Sequence, residues 1–188
     1  MVIETQTDLL SAIEKKRKYI VIKNKIDIMP ILGSSIKMIQ ITNPRSIDIE
    51  IIKRSSLTGV EIINYNKDID LSTTNINYLF LKNFKSNLKL PKVKKITLSL
   101  SQCSINQKLD LKDLILFDEN KINYNKIKTE KISSYMPEIF LYDIKKLNTK
   151  VLIINSIVIG FFSDIDELKR YKEYKIIPQN DITEHLYL

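Results

Sequence analysis

The chain is poor in the residues that build many common functional sites. Its 188 residues include one cysteine, one histidine and three glycines. A single cysteine, Cys103, excludes an internal disulfide and favours a reducing, intracellular and cytoplasmic setting. A single histidine, His185, excludes a multi-histidine metal site. So few glycines leave no phosphate-binding glycine loop and disfavour a glycine-rich β-helix.

Long apolar runs are also missing. The longest, residues 151–162, is interrupted by Asn155 and Ser156 and is too short to cross a bilayer. Residues 1–14 contain acidic groups and lack the basic start and apolar run of a signal peptide. We therefore expect no membrane span and no secretory leader.

The chain is instead rich in apolar and basic residues. Apolar residues make up 44% of it and charged residues 28%, which suits a single domain with a real core. The net charge is +8, and the lysines are spread along the whole chain. This spread fits solvated faces better than one nucleic-acid groove. We expect a lysine-rich rim that steers an acidic protein partner, with nucleic acid as the less favoured partner.

A branched apolar triplet, apolar-x-x-apolar-x-apolar, recurs along the chain. The copies are Ile36-Ile39-Ile41, Leu57-Val60-Ile62, Ile76-Leu79-Leu81, Leu111-Leu114-Leu116 and Met136-Ile139-Leu141, with partial copies at Ile20/Ile22 and Leu98/Leu100. The middle residues are Ile20, Ile39, Val60, Leu79, Leu98, Leu114 and Ile139, so their sequence numbers advance in steps of 19, 21, 19, 19, 16 and 25. A period near twenty is typical of a solenoid, in which each strand buries its apolar side against its neighbours.

The pattern predicts a β-rich α/β solenoid of short parallel strands stacked at about 20-residue spacing, with a helix at each end. The whole chain forms one domain in this interpretation. Residues 1–18 are an N-terminal capping helix, 19–160 the repeat array, 163–174 a C-terminal helix and 179–188 a tail. Within 1–18 the helix itself covers 5–18, with an apolar stripe of Leu9, Leu10 and Ile13.

One connection is predicted to be extended rather than helical. In it Ile47, Ile49 and Ile51 alternate with polar residues, which is the period of a strand.

The segment Leu98-Ser99-Leu100-Ser101-Gln102-Cys103-Ser104-Ile105 resembles the consensus of leucine-rich repeats. Cys103 stands where that family places its Asn or Cys, and Ile105 where it places Leu. In the other copies the same position holds Pro44, Tyr65, Phe84, Glu119 and Ile144, which do not supply the family's carbonyl-capping side chain. The resemblance implies a parallel sheet whose concave face is the usual recognition surface.

Aromatic and apolar residues occupy outward positions between the buried ones. The predicted outward column is Val21, Gln40, Glu61, Phe80, Ser99, Ile115 and Phe140, with Tyr19, Tyr78, Phe117 and Tyr142 nearby. Aromatic side chains supply large contact area at low entropic cost, as a protein-binding surface requires. We therefore predict that a partner protein contacts Tyr78, Phe80, Ile115, Phe117, Phe140 and Tyr142.

No motif in the chain points to catalysis. Cys103 stands among buried-type positions, so it is interpreted as an inert core thiol. The run 15–18 is a basic helix end facing water, and Asp164, Asp166 and Glu167 begin a helix. We expect no enzyme activity, no cofactor and no metal. Two alternatives stay open: a basic nucleic-acid-binding protein, or a structural assembly subunit, for instance in a virus, of a non-repeat β-rich or α+β fold.

Overall fold

The computed structural model describes residues 1–91, 95–140, 149–154, 157–159 and 173–176, the backbone alone being described at 138–140, 157–159 and 173–176. The chain divides into two compact units, Met1–Ile96 and Thr97–Leu188. We call them the N-terminal unit and the C-terminal unit. Both are rich in strands, and every described strand pair is parallel.

The N-terminal unit contains seven strands and two helices in its described residues. They are β1 (Val2–Ile3), α1 (Gln6–Glu14), β2 (Tyr19–Ile22), β3 (Met38–Thr42), α2 (Ser46–Arg54), β4 (Gly59–Ile63), β5 (Ile69–Asp70), β6 (Tyr78–Lys82) and β7 (Leu88–Lys89), with a 3₁₀ turn at Met29–Ile31. The main sheet of this unit runs in the order β1-β2-β3-β4-β6, and β5 pairs with β7 in a small second sheet.

The C-terminal unit contains only strands and one 3₁₀ turn in its described residues. They are β8 (Thr97–Ser101), β9 (Ser104–Ile105), β10 (Leu109–Phe117), β11 (Lys121–Ile122), the turn Tyr124–Lys126, β12 (Ile127–Tyr135), β13 (Glu138–Phe140), β14 (Val151–Ile154), β15 (Ile157–Ile159) and β16 (Glu173–Ile176). Its main sheet runs β8-β10-β12-β14-β16, while β9 pairs with β11 and β13 with β15.

The apolar triplets form the core of the N-terminal unit, as the period predicts. Their middle residues lie opposite one another across β2, β3, β4 and β6, and none is exposed; they are Ile20, Ile39, Val60 and Leu79. The next apolar residue of each strand forms a second buried row: Ile22, Ile41, Ile62 and Leu81. Branched residues suit such strands, because they pack well on a pleated surface.

In the C-terminal unit, one strand of the repeat differs from the one predicted. Its buried row is Leu98, Leu114, Ile132 and Leu152, so the strand after β10 aligns Ile132 rather than Ile139. The steps along this row are therefore 16, 18 and 20, and the predicted step of 25 is wrong. The copy was missed because Thr129 and Ser134, both buried, stand where other copies have apolar residues. Thr129 Oγ1 lies 3.0 Å from the carbonyl oxygens of Lys112 and Lys131, which satisfies its hydroxyl.

Five strands are each followed directly by a residue with left-handed backbone. These residues are Asn43, Asn64, Asn83, Gln102 and Asp118, with φ between 50° and 58°. Each stands two residues after the second buried residue of its strand. Asparagine and aspartate tolerate this conformation because a short polar side chain can hydrogen-bond locally. Neighbouring copies also bond to each other, since Asn83 Nδ2 donates to Asn64 Oδ1 at 2.7 Å.

The residue after this turn is usually apolar and buried. Pro44, Tyr65, Phe84 and Cys103 occupy it, all four are buried, and Phe84 is only 1% exposed. These are the positions where leucine-rich repeats place their Asn or Cys. An apolar side chain there adds to the core, while the polar residue stands one position earlier, in the turn. Whether the chain is related to that family stays a prediction.

Helix α1 is shorter than predicted. It begins after Thr5, whose hydroxyl accepts from the Asp8 N–H at 3.2 Å while Asp8 Oδ2 accepts from the Thr5 N–H at 2.9 Å. It ends at Glu14, because Lys16 takes a left-handed conformation with φ 52°. The basic run 15–18 therefore follows the helix instead of completing it.

The buried side of α1 also differs from the predicted stripe. Leu9 and Ala12 are buried, Ile13 is half-buried and Leu10 is 53% exposed. Ahead of the helix, β1 pairs with β2, so residues 1–18 contain a strand as well as a helix.

Helix α2 replaces the predicted extended connection. Its inward residues are Asp48, Ile49, Ile51 and Ile52, while Ile47 is 53% exposed. The alternation of Ile47, Ile49 and Ile51 concealed this helical spacing. Asp48 anchors the first turn, accepting from the Arg45 N–H at 2.7 Å and from its guanidinium at 2.8 and 3.1 Å.

The predicted C-terminal helix, 163–174, lies outside the described residues except for its last two positions. Glu173 and Tyr174 belong to strand β16, so the helix does not extend to residue 174. The tail 179–188, with His185, also lies outside them, as do Asp164, Asp166, Glu167 and Tyr142. Within the part of the chain that the structure describes, no helix is long and apolar enough to cross a membrane.

Candidate protein interface

The outer face of the N-terminal unit is the side of its main sheet opposite the buried rows. It is defined by two rows of side chains, Tyr19-Met38-Gly59-Tyr78 and Val21-Gln40-Glu61-Phe80. Alternation along a strand places these residues on one side of the sheet. Apart from exposed Tyr19 and buried Gly59, all of them are half-buried. The predicted outward order Val21, Gln40, Glu61, Phe80 is confirmed for this unit.

Gly59 leaves room for the Met38 side chain on this outer face. A Cβ added at Gly59 would stand 3.1 Å from Met38 Cγ and 3.3 Å from Met38 Sδ. The Met38 side chain therefore leans over the glycine and occupies the space that a larger residue would need. Tyr78 follows in the same row, on the other side of Gly59. The space left by the missing side chain is thus filled by Met38.

Glu61 is the one acidic residue in the two rows. Partial burial raises the pKa of its carboxyl, although a hydrogen bond from Tyr19 works in the opposite direction. Burial and the nearby charge of Glu61 raise the pKa of the Tyr19 hydroxyl in turn. That hydroxyl also lies 3.3 Å from Gln40 Oε1, so its one proton is shared between the two acceptors. Tyr19 therefore reaches across β3 toward the centre of the face, where Gln40 and Glu61 lie side by side.

The corresponding outer face of the C-terminal unit carries three rows. They are Thr97-Asp113-Lys131-Val151, Ser99-Ile115-Ser133-Ile153 and Ser101-Phe117-Tyr135. Ile115 is half-buried, but its neighbours Ser99 and Ser133 are only 1% and 6% exposed. Two polar groups bond within this face, because Thr97 Oγ1 donates to Asp113 Oδ2 at 3.1 Å and Ser101 Oγ to Asp118 Oδ2 at 2.6 Å.

The most exposed part of this second face is an aromatic pair. Phe117 and Tyr135 lie opposite each other at the ends of β10 and β12. Their rings stack at 5.4 Å between centroids and 14° between planes. Even so, they are 38% and 44% exposed. Large aromatic area left in contact with water, and already held in one arrangement, is typical of a binding surface.

The structure groups the predicted contact residues into separate sets. Tyr78 and Phe80 lie together on β6 of the N-terminal unit, and Ile115 and Phe117 lie together on β10 of the C-terminal unit. Phe140 is not in the predicted column, because β13 pairs with β15 in a separate small sheet and Ser133 takes that position. Tyr142 lies outside the described residues.

The sequence analysis did not identify three residues of the outer faces: Met38, Gly59 and Tyr135. Tyr135 lies directly opposite Phe117 in the pairing of β10 with β12, so the correct step between these two strands would have found it. No signal in the sequence marks Met38 leaning over Gly59, because that contact depends on the register of two strands.

A basic cleft lies elsewhere on the C-terminal unit. It has a volume of about 760 Å³ and is lined by Lys108, Leu109, Asp110, Asn125, Lys126, Ile127 and Lys128. Lys126 Nζ donates to the backbone carbonyl of Asn106 at 3.1 Å, which directs part of its charge to the protein itself. The cleft keeps the nucleic-acid alternative open as a prediction.

The basic run 15–18 and Cys103 lie in different settings. Residues 15–18 are exposed, and Lys18 Nζ donates to the Ser35 carbonyl at 3.4 Å. Cys103 is 2% exposed and its Sγ donates to the Ser101 carbonyl at 3.2 Å, as expected of a core thiol. Its backbone N–H donates to Asn120 Oδ1 at 2.9 Å, so the side chain of Asn120 holds this turn.

Comparison with known proteins gives no relative from which a role could be transferred. No family model, no curated protein and no solved structure matches this chain, so its function has to be argued from its own surfaces.

Proposed function

We propose that the chain is a non-catalytic β-rich solenoid that binds another protein through the outer faces of its parallel sheets. The observation that carries this proposal is the aromatic pair Phe117 and Tyr135, stacked and yet more than a third exposed. Aromatic residues dominate the energetics of protein interfaces, particularly where they need little reordering on binding.

The solenoid part of the proposal is supported by the register of the strands. In the described pairs between β2 and β12, each main strand is followed by a parallel neighbour with its apolar residues in line, at sequence steps of 19, 21 and 19 in the N-terminal unit and 16 and 18 in the C-terminal unit. Within each unit the main strands are therefore successive turns of the proposed coil. The left-handed residue after five of these strands, from Asn43 to Asp118, would turn the chain at equivalent places.

The binding part is supported by the free energy gained when an exposed aromatic pair is removed from water. Two rings that stack on each other still leave their outer faces hydrated, and covering them on binding is favourable. The stack also fixes both side chains before a partner arrives, so little side-chain entropy is lost on association. The pair needs no lysine-rich rim to hold a partner, because covering the rings does not depend on charge.

The test is a selection from a displayed random-peptide library on the immobilised chain, followed by affinity measurement for the enriched peptides. The variant F117T/Y135T removes both rings and keeps strand-compatible residues. We expect it to bind these peptides at least roughly tenfold more weakly, because interface aromatics of this kind typically contribute more than about 1 kcal/mol each.

The matched control is K112T/K128T, which changes one exposed residue on each of the same two strands. It should retain the peptide affinity and, like F117T/Y135T, the far-ultraviolet circular dichroism of the parent chain. Enrichment of no peptide would refute the binding function. If K112T/K128T lost the affinity and F117T/Y135T kept it, the assignment of the binding site to the aromatic pair would be wrong. The lysines of the C-terminal unit would then carry binding.

A further inference from the structure

The outer face of the N-terminal unit contains a carboxylate in an unusual place. Glu61 is half-buried at the centre of the face, between Gln40 and Phe80 across the sheet, in a chain whose net charge is +8. Ion pairs such as Arg45–Asp48, Lys53–Glu50 and Lys89–Asp70 neutralise other acidic groups of the described residues, and none of these pairs includes Glu61. A basic protein has thus left one acidic group on this face without a cation of its own in the described structure.

The surroundings of Glu61 are aromatic and sulfur-containing. Tyr19 lies on one side and extends across β3, with its hydroxyl 3.3 Å from Gln40 Oε1. Tyr78 and Phe80 lie on the adjacent strand β6. Two residues before Glu61 on β4, Gly59 has no side chain, and the Met38 side chain covers it. Glu61 is thus half-buried with aromatic residues on two sides, Tyr19 toward β2 and Tyr78 and Phe80 on β6.

This combination favours one kind of ligand chemistry. A partly desolvated carboxylate is poorly hydrated, so a cation that replaces the missing water gains more there than at an open surface. Aromatic rings attract cations through their negative faces, and they do so more strongly when water is excluded. The lysine on β6, Lys82, stands opposite Ile63 at the last position of its strand, in the row beyond Glu61 and Phe80.

We propose that the outer face of the N-terminal unit binds a lysine or arginine side chain of the partner protein, its charged group against Glu61 and its stem between Tyr19 and the aromatic residues of β6. This inference rests on the proposed function, because it names the chemistry by which a protein partner is recognised. If Glu61 served only as the acceptor of a hydrogen bond from Tyr19, the partner would not need a basic side chain at this place.

A double-mutant cycle separates the two roles. The peptides enriched on the parent chain are made in pairs, one with the basic residue and one with a neutral residue of the same length, norleucine for lysine or citrulline for arginine. Both are measured against the parent chain and against E61Q, which keeps the size of the side chain and an acceptor for Tyr19. The control is E14Q, since Glu14 is exposed at the end of α1 and is not part of the face.

We expect E61Q to weaken the basic peptide roughly tenfold and the neutral peptide less than about twofold, since close charges across an interface are often strongly coupled. E14Q should leave both unchanged, and the circular dichroism of E61Q should match the parent. Equal weakening of both peptides by E61Q would overturn the proposal, as would enriched peptides without a basic residue. Those results leave the binding function standing, whereas a library that yields no binder at all refutes both.

Discussion

The left-handed turn at the end of β6 makes a sharp prediction about Asn83. Its backbone has φ 55°, and its amide donates to Asn64 Oδ1 at 2.7 Å. Alanine at this position loses the hydrogen bond and also places a Cβ in a conformation that costs about 1–2 kcal/mol for residues other than glycine, asparagine and aspartate. Glycine loses the same bond but takes the conformation without strain, at an entropic cost of about 0.5–1 kcal/mol.

These magnitudes place Asn83→Ala about 2 kcal/mol below the parent chain in unfolding free energy and Asn83→Gly about 1 kcal/mol below it. The assay is equilibrium unfolding in urea, followed by circular dichroism and by tyrosine fluorescence. With a urea dependence of about 2 kcal/mol per molar, the two midpoints should differ by about 0.5 M. The control Lys85→Ala changes an exposed residue two positions on and should stay within about 0.5 kcal/mol of the parent.

Equal midpoints for the alanine and glycine variants would refute this reasoning. They would mean that backbone conformation does not distinguish the two residues, and hence that the turn is not left-handed in solution. If Asn83→Ala were as stable as the parent, the hydrogen bond from Asn83 to Asn64 would not contribute to the unfolding free energy.

Two further predictions concern the core and the acidic group of the outer face. Phe84→Ala should lower the unfolding free energy by about 3–5 kcal/mol in the same urea titration, because Phe84 is 1% exposed; a loss below about 1 kcal/mol would contradict its place in the core. Burial raises the pKa of Glu61, so the folded chain keeps that proton to higher pH than the unfolded chain does, and the stability of the parent should fall relative to E61Q as pH rises from about 4 to about 7. The measurement is the difference in melting temperature between the two proteins at each pH, in which the lowered pKa values of Asp8, Asp68 and Asp70 cancel; a constant difference would contradict the raised pKa.

The sequence predicted the buried rows where their chemistry is uniform. Ile39, Val60 and Leu79 are branched apolar residues in every copy, so their period is visible without a structure. It failed at Ile132, because the copy around it buries Thr129 and Ser134, whose hydroxyls a search for apolar residues passes over. Hydroxyl groups are tolerated inside when a backbone carbonyl accepts from them, and that partner is known only from the fold.

The interface was predicted where it depends on alternation alone and missed where it depends on register. Phe80 and Glu61 were placed on the same side of the sheet because they flank buried residues in their own strands. The stack of Phe117 on Tyr135 requires knowing which residues face each other across two strands, and the overlong step from Leu114 to Ile139 hid it. The asparagine turns were visible in principle, since Asn43, Asn64 and Asn83 recur with the same steps as the buried residues Ile39, Val60 and Leu79.

The connections between main strands differ in secondary structure, whereas the main strands resemble one another. Between β3 and β4 the chain forms a nine-residue helix, while between β4 and β6 it forms only the two-residue strand β5. A single residue added inside a strand would reverse which side chains face the core, whereas a residue added to a connection leaves both neighbouring strands in register. Length changes during evolution should therefore have accumulated in the connections, and a foreign peptide is best inserted there.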